Sequence, residues 1–90
     1  MRPRINKNFG AIKWKELDDY FYENYVFPCG AESFEDHIIY SRRLMFRDNK
    51  KAPEKIFINV SVNSKLVLGA WDEKGMNFNS IDELKQYTKK

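Results

Sequence analysis

The sequence predicts a small α+β domain in which two N-terminal helices precede a three-stranded antiparallel meander and a C-terminal helix. Three patterns indicate this class. Apolar residues recur every three or four positions over residues 14–25, alternate along residues 56–62, and follow a helix-capping sequence at residues 80–83. The chain has 90 residues, which is the length of one domain. We therefore expect a single domain over residues 1–90, with a flexible basic arm at residues 1–10.

The first helix is predicted from Trp14 to about Tyr25, because aromatic and aliphatic residues recur there at spacings of three or four positions. Acidic residues take the other directions and suit the N-terminal end of a helix dipole. Pro28 then disfavours helical geometry at Phe27 and ends the helix. This helix should pack one apolar face on the core.

Residues 33–47 predict a second helix, with a long strand as the alternative. Ser33 suits the N-cap, while Arg43 and Arg47 suit the last turn. A length of about fourteen residues favours the helix. Arg42 lies on the apolar side in either assignment, so it must pair with an acid, reach water or lie at a partner interface. The acids proposed for such a pair are Glu16, Asp19 and Glu23 on the first helix.

The three-stranded meander is predicted over residues 56–78. Apolar residues alternate from Ile56 to Val62, which is the period of a strand with one buried face. Turn residues follow at 63–64 and at 72–75. The predicted pairs are Val62 with Lys65, Val60 with Val67, Ile58 with Gly69 and Ile56 with Trp71, then Trp71 with Met76 and Gly69 with Phe78.

Ser80 and Glu83 form a capping box that opens the last helix. This helix should run from Ile81 to about Lys89, with the basic residues at its carboxyl end favoured by the helix dipole. The helices are expected to cover one face of the sheet.

The sequence contains no motif for catalysis, metal binding or nucleotide binding. Cys29 and His37 are its one thiol and its one imidazole, and no oxyanion-hole motif follows them. The acids lack the spacing of a calcium loop, and the glycines lack the spacing of a phosphate loop. We therefore expect a non-enzyme without a metal or a cofactor.

Hydropathy argues against contact with a membrane. No apolar run reaches the roughly 18 to 20 residues of a membrane span, and the first residues lack an apolar signal segment. We expect a soluble, cytoplasmic protein.

Charge is segregated along the chain, whose net charge is +3. Residues 1–15 hold five basic residues and no acid, whereas residues 16–36 hold seven acids and no lysine or arginine. Residues 42–55 then hold six basic residues and two acids. Blocks of this kind predict a polarised surface.

Three surfaces are candidates for binding. Aromatic residues at positions 20–27 are too dense to face inward from one helix, so some rings must be exposed. The basic segment at 42–55 suits contact with phosphates. The outer sheet face, around Phe57 and Leu68, is half apolar and either lies under the helices or awaits a partner. The predicted binding residues are Tyr20, Tyr22, Tyr25, Arg42, Arg43, Arg47, Lys50 and Lys51.

These observations predict a non-catalytic interaction protein of the anti-defence or anti-CRISPR type. Phe, Tyr, Met, Ile, Asn and Lys number 41 against 16 for Gly, Ala, Arg and Pro, and this AT-rich codon bias is typical of phages and mobile elements. Such a protein would bind a host protein or nucleoprotein complex and inhibit or redirect it. The alternative is a nucleic-acid-binding regulator that uses the basic surface from Arg42 to Lys55. The oligomeric state is left open.

Overall fold

An antiparallel sheet with helices on one face is the framework of the protein. The computed structural model describes residues 5–6, 9–45 and 55–89. Within these residues the sheet has four strands in the order β1-β2-β3-β4, so that each strand pairs with the next along the chain. The elements are α1 (Trp14–Glu23), β1 (Val26–Ser33), β2 (His37–Leu44), β3 (Lys55–Ser61), β4 (Val67–Asp72) and α2 (Ile81–Thr88).

The small α+β class is confirmed, but the predicted second helix and the three-stranded meander are wrong. The segment predicted as helical over residues 33–47 forms the strand β2, and β1 precedes it as its hairpin partner. The two strands meet at a short loop, where the Phe34 N–H donates to the His37 carbonyl at 2.8 Å. Residues 46 and 47 lie outside the described residues.

The strand prevails over the helix because β2 buries side chains on both faces of the sheet. On one face Tyr40 and Arg42 lie opposite Ile58 and Ile56 of β3. On the other face Ile39 is also buried. The adjacent apolar residues 38 and 39 therefore face opposite sides of the sheet. Adjacent apolar residues also occur on one face of a helix, so periodicity alone does not distinguish the two structures.

The core lies between the helices and one face of the sheet. Leu17 and Phe21 of α1 and Leu84 of α2 are fully buried there. The other buried members of this cluster are Phe9, Ile12, Val26, Leu44, Ile56, Ile58, Val60, Val67, Ala70 and Phe78. The predicted basic arm at residues 1–10 falls mostly outside the described residues, but Phe9 belongs to the core.

The register between β3 and β4 departs from the predicted one at Leu68. Val60 pairs with Val67 as predicted, but Ile58 pairs with Ala70. A β-bulge that leaves Leu68 without a paired residue causes the shift. Because a shift of one residue exchanges the two faces, Ala70 joins the core and Trp71 lies on the opposite face. There the Trp71 ring stacks on Phe57 with centroids 5.9 Å apart.

The predicted turns are present, with altered pairing. In place of a two-residue turn with Val62 opposite Lys65, the Ser61 N–H donates to the Leu66 carbonyl at 3.0 Å. After β4, the carboxylate of Asp72 accepts hydrogen bonds from the backbone N–H groups of residues 74 and 76 at 2.9 and 3.0 Å. The expected third strand is reduced to one bridge, between Trp71 and Asn77.

The two helices are confirmed close to their predicted bounds. Ser80 Oγ accepts a hydrogen bond from the Glu83 N–H at 3.1 Å, as a capping box requires. The Glu83 carboxylate accepts from the Asn79 N–H at 3.2 Å, one residue before the expected donor. Thr88 ends α2 and its hydroxyl donates to the Leu84 carbonyl at 2.9 Å.

The two edges of the sheet differ in how they are covered. Along β4, the Asn6 N–H donates to the Leu68 carbonyl at 2.8 Å and the Phe78 N–H donates to the Ala70 carbonyl at 3.0 Å. Segments from both ends of the chain therefore flank this edge. Along β1, residues 28–33 are exposed, and no described segment pairs with their outer side.

Candidate functional site

The outer edge of β1 presents backbone groups that the sheet does not use. In an antiparallel pair, hydrogen-bonded residue pairs alternate with pairs that do not bond each other. The bond from Phe34 to His37 makes that pair a bonded one, so the Glu32–Ile39 and Gly30–Ser41 pairs are bonded as well. Ala31 and Ser33 occupy the positions between these pairs. Their N–H and C=O groups therefore point away from β2 into solvent.

A proline and a bulge mark where this free edge begins. Pro28 lies opposite Arg42, and the register shifts before Gly30, so Cys29 is the extra residue of a β-bulge. Pro28 has no N–H, and a proline is tolerated in a strand where its missing donor faces solvent. Cys29 is exposed as a free thiol and is the one cysteine of the sequence.

Three aromatic rings lie beside the start of this strand. Tyr22 and Tyr25 are 49% and 39% exposed. Their ring centroids lie 5.6 and 6.2 Å from that of the half-buried Phe27. Tyr25 adopts a left-handed backbone with φ of 58° just after α1, which turns the chain into β1. We name these three rings, together with the free edge of residues 28–33, the β1 edge site.

Tyr20, the third predicted tyrosine, has a different role. Its hydroxyl donates to the Lys85 carbonyl at 3.0 Å, and the Lys85 ammonium lies 5.1 Å from the centre of its ring. Tyr20 therefore joins α1 to α2 and stands apart from the β1 edge site.

The charge around the free edge is acidic. Glu32, Glu35 and Asp36 are exposed, and no lysine or arginine occurs from residue 26 to residue 36. Of these acids, Asp36 contacts His37, whose Nδ1 lies 2.6 Å from Asp36 Oδ1. A carboxylate can only accept, so Nδ1 carries the proton.

The hydrogen bond from His37 lowers the pKa of Asp36 below its ordinary 3.8. The contribution of the pair to stability is therefore present above pH 3.8 and is lost as the pH falls through the lowered pKa. We expect the His37→Phe variant, which can still stack on Phe34, to raise the pKa of Asp36 toward 3.8. Carboxyl-carbon NMR titration measures this pKa, and a spectrum at neutral pH verifies the fold. An unchanged midpoint would contradict the assigned hydrogen bond.

Arg42 is buried, with 5% of its surface exposed, and braces α1 against the sheet. Its Nε donates to Asp18 Oδ1 at 2.9 Å, and another guanidinium N–H donates to the Ser41 carbonyl at 3.0 Å. The guanidinium carbon lies 4.8 Å from the Trp14 ring centre and 5.1 Å from that of Tyr40. The internal pair is thus the alternative that the structure shows, with Asp18 in place of the three acids proposed from the sequence.

The described residues do not assemble the predicted basic surface. Arg43 is exposed on β2, but Arg42 points to the opposite face of the sheet, since successive side chains in a strand alternate. Arg47, Lys50 and Lys51 lie outside the described residues.

The sheet face opposite the helices carries a shallow cavity of about 280 Å³. The His37 ring lines it and stacks on Phe34 with centroids 4.6 Å apart. The remaining lining residues are Ile5, Asp36, Asn59, Ser61, Asn63 and Leu68. Among the described residues, no group of three or more His, Cys, Asp or Glu side chains is arranged to hold a metal ion.

Comparison with known proteins supplies no relative. No protein-family model, curated protein or solved structure matches the chain. Within the described part of the chain, no helix combines the length and the apolar character needed to cross a membrane.

Sequence reasoning predicted Tyr22 and Tyr25 as binding residues but missed the strand edge beside them and the acid that holds Arg42. Two signals were present. Trp14 and Asp18 are four residues apart and share one face of α1, where an aromatic ring and a carboxylate together suit a guanidinium. Pro28 after Val26 and Phe27 is compatible with an edge strand as well as with a loop.

Proposed function

We propose that this protein is a non-catalytic binding domain that docks on a protein partner through the β1 edge site. In doing so it inhibits or redirects a protein machine of a host cell, in the manner of anti-defence or anti-CRISPR inhibitors. The AT-rich composition supports an origin in a phage or mobile element. Its place of action is then the host cytoplasm.

One observation carries this proposal: exposed tyrosines adjoin a free strand edge. Among the described residues, the large hydrophobic side chains with high exposure are Tyr22, Tyr25, Ile5 and Met76. The two tyrosines lie together around Phe27, within one patch. Tyrosine is enriched at protein interfaces because its ring gives a large contact area and its hydroxyl gives a hydrogen bond.

Affinity capture with a matched control tests the site. We expect the tagged full chain to retain a specific protein from a nuclease-treated bacterial lysate at moderate salt. The Tyr22→Ala, Tyr25→Ala double variant should lower retention at least about tenfold, because truncation of an interface tyrosine commonly costs more than 1 kcal/mol. Met76→Ala removes a side chain that is 68% exposed outside the β1 edge site and should leave retention unchanged.

Two outcomes would contradict the proposal. Equal retention by the double variant and the wild type would place binding elsewhere on the surface. A lysate that yields no retained protein, while duplex or single-stranded nucleic acid shifts in a gel at low salt, would favour the nucleic-acid alternative. That alternative needs the basic segment at 42–55, of which Arg42 is committed to Asp18 and Arg43 is exposed.

A further inference from the structure

We infer, on the basis of the proposed protein-binding function, that β1 accepts an added strand from its partner and that this strand is a basic, extended segment. The backbone gives the mode of binding and the surrounding charge gives the chemistry of the partner. Strand addition to an open sheet edge uses main-chain hydrogen bonds for affinity and neighbouring side chains for specificity.

The usable edge is short and has a defined register. The bulge at Cys29 interrupts it on one side, and the loop after Ser33 ends it on the other. Between these limits, Ala31 and Ser33 each present one N–H and one C=O to solvent. Four outward backbone groups in alternating positions match a partner strand of about four or five residues.

The acids around this edge select a basic strand. Glu32 lies within the edge, and Glu35 and Asp36 follow in the hairpin loop, all exposed. None of these three acids forms an ion pair with a lysine or an arginine among the described residues. The net charge of the whole chain is +3, so this acidic patch has the opposite sign to the chain as a whole. Lysine or arginine on the incoming strand would meet carboxylates that no lysine or arginine of the described residues neutralises.

A second copy of the chain is a poorer occupant of the same edge. Two β1 edges paired antiparallel through Ala31 and Ser33 would place Glu32 of one copy directly opposite Glu32 of the other, and neither β1 supplies a lysine or an arginine. Like charges across adjacent strands are destabilising. Glu32 and Pro28 are also residue types that natural edge strands use against self-association.

Proline substitution at residues 31 and 33 tests how much the outward main-chain N–H groups contribute to binding of the added strand. Ala31→Pro removes one outward N–H and no hydrogen bond to β2, because Ala31 occupies a pair that does not bond across the hairpin. Pro28 already occupies such a position in β1. Ala31→Val keeps the N–H and serves as the matched control. If Ala31→Pro fails to fold, Ser33→Pro makes the same change two residues on.

The probe is an alternating Lys-Val hexapeptide, titrated into the isotope-labelled full chain and followed by NMR amide shifts. We expect shifts centred on Ala31 and Ser33, with a dissociation constant near about 1 mM or lower. The affinity should fall at least tenfold in Ala31→Pro and stay unchanged in Ala31→Val. An alternating Glu-Val hexapeptide should bind at least tenfold more weakly than the Lys-Val peptide. In the Glu32→Gln variant the affinities of the two peptides should differ by a smaller factor.

Four other results would each contradict a different part of this inference. Lys-Val binding that Ala31→Pro leaves intact would exclude strand addition. Equal binding of the Glu-Val peptide would exclude selection by charge. A concentration-dependent dimer that Ala31→Pro abolishes would make a second copy the occupant. Failure of the peptides while the tyrosine variants still lower capture from lysate would reject strand addition and leave the proposed protein-binding function standing.

Discussion

Replacing Arg42 with alanine is expected to lower the free energy of unfolding by about 3 kcal/mol, because loss of one partner leaves the other member of a buried ion pair uncompensated. Asp18, whose side chain is only 20% exposed, would lose the donor 2.9 Å away. The stacked Trp14 and Tyr40 rings, whose centroids lie 4.3 Å apart, would also lose the guanidinium that contacts both of them. For a domain of this size the melting temperature should fall by about 15 °C.

Arg43→Ala is the matched control for this substitution. Arg43 is the next residue on β2 and is exposed, so its loss should change stability by less than about 0.5 kcal/mol. Thermal melting of both variants decides the role of Arg42. Equal melting temperatures would contradict the brace, and unchanged melting with weaker partner binding would instead make Arg42 an interface residue.

Gly10→Ala is expected to cost about 2 kcal/mol, mainly through the backbone. Gly10 has φ of +117°, a conformation that residues with a side chain rarely adopt, and such strain costs of order 1–3 kcal/mol. An added Cβ would also lie 2.8 Å from Ile81 Cδ1, at the start of α2. The Ile81 N–H donates to the Phe9 carbonyl at 2.9 Å, so strain at Gly10 loosens the attachment of α2 to the N-terminal segment.

Two further variants distinguish backbone strain at Gly10 from the steric contact with Ile81 as the cause of the lost stability. Gly30→Ala should change stability by less than about 0.5 kcal/mol, because its Cβ would meet Ser41 atoms at an ordinary 3.8 Å. Adding Ile81→Ala to Gly10→Ala relieves the steric contact but not the backbone strain, so we expect no recovery in chemical denaturation. If the double variant were as stable as Ile81→Ala alone, the loss in Gly10→Ala would come from the contact with Ile81 and not from backbone strain.

The elements that sequence reasoning predicted correctly are those with local signals. Helix α2 begins at a capping box formed by Ser80 and Glu83, and α1 follows a spacing of three and four residues from Trp14. Both signals arise within a few residues of the chain. The alternation that begins at Ile56 likewise predicted β3 correctly.

The predictions were wrong where the structure of a segment is determined by residues that are distant in the sequence. Whether residues 37–44 form a helix or a strand is decided by β1 and β3, which pair with them on either side. The bulge at Leu68 reverses the faces on which Ala70 and Trp71 lie, and the adjacent Gly69 is compatible with a bulge as well as with close packing. The choice of Asp18 over neighbouring acids similarly depends on where Arg42 emerges from the sheet.

The joining of the two ends of the chain along β4 constrains the order of events during synthesis. Asn6 Nδ2 donates to the carbonyls of Phe78 and Asn79 at 3.3 and 3.2 Å, across sequence separations of 72 and 73 residues. On a ribosome, Asn6, Phe9 and Ile12 are made before β4 but cannot dock until β4 and the segment after it have been made. Contacts of such high separation also raise the entropic cost of folding and slow it. Phe9 and Ile12 therefore stay unburied until those later segments have been made, and a chaperone can bind them during that interval.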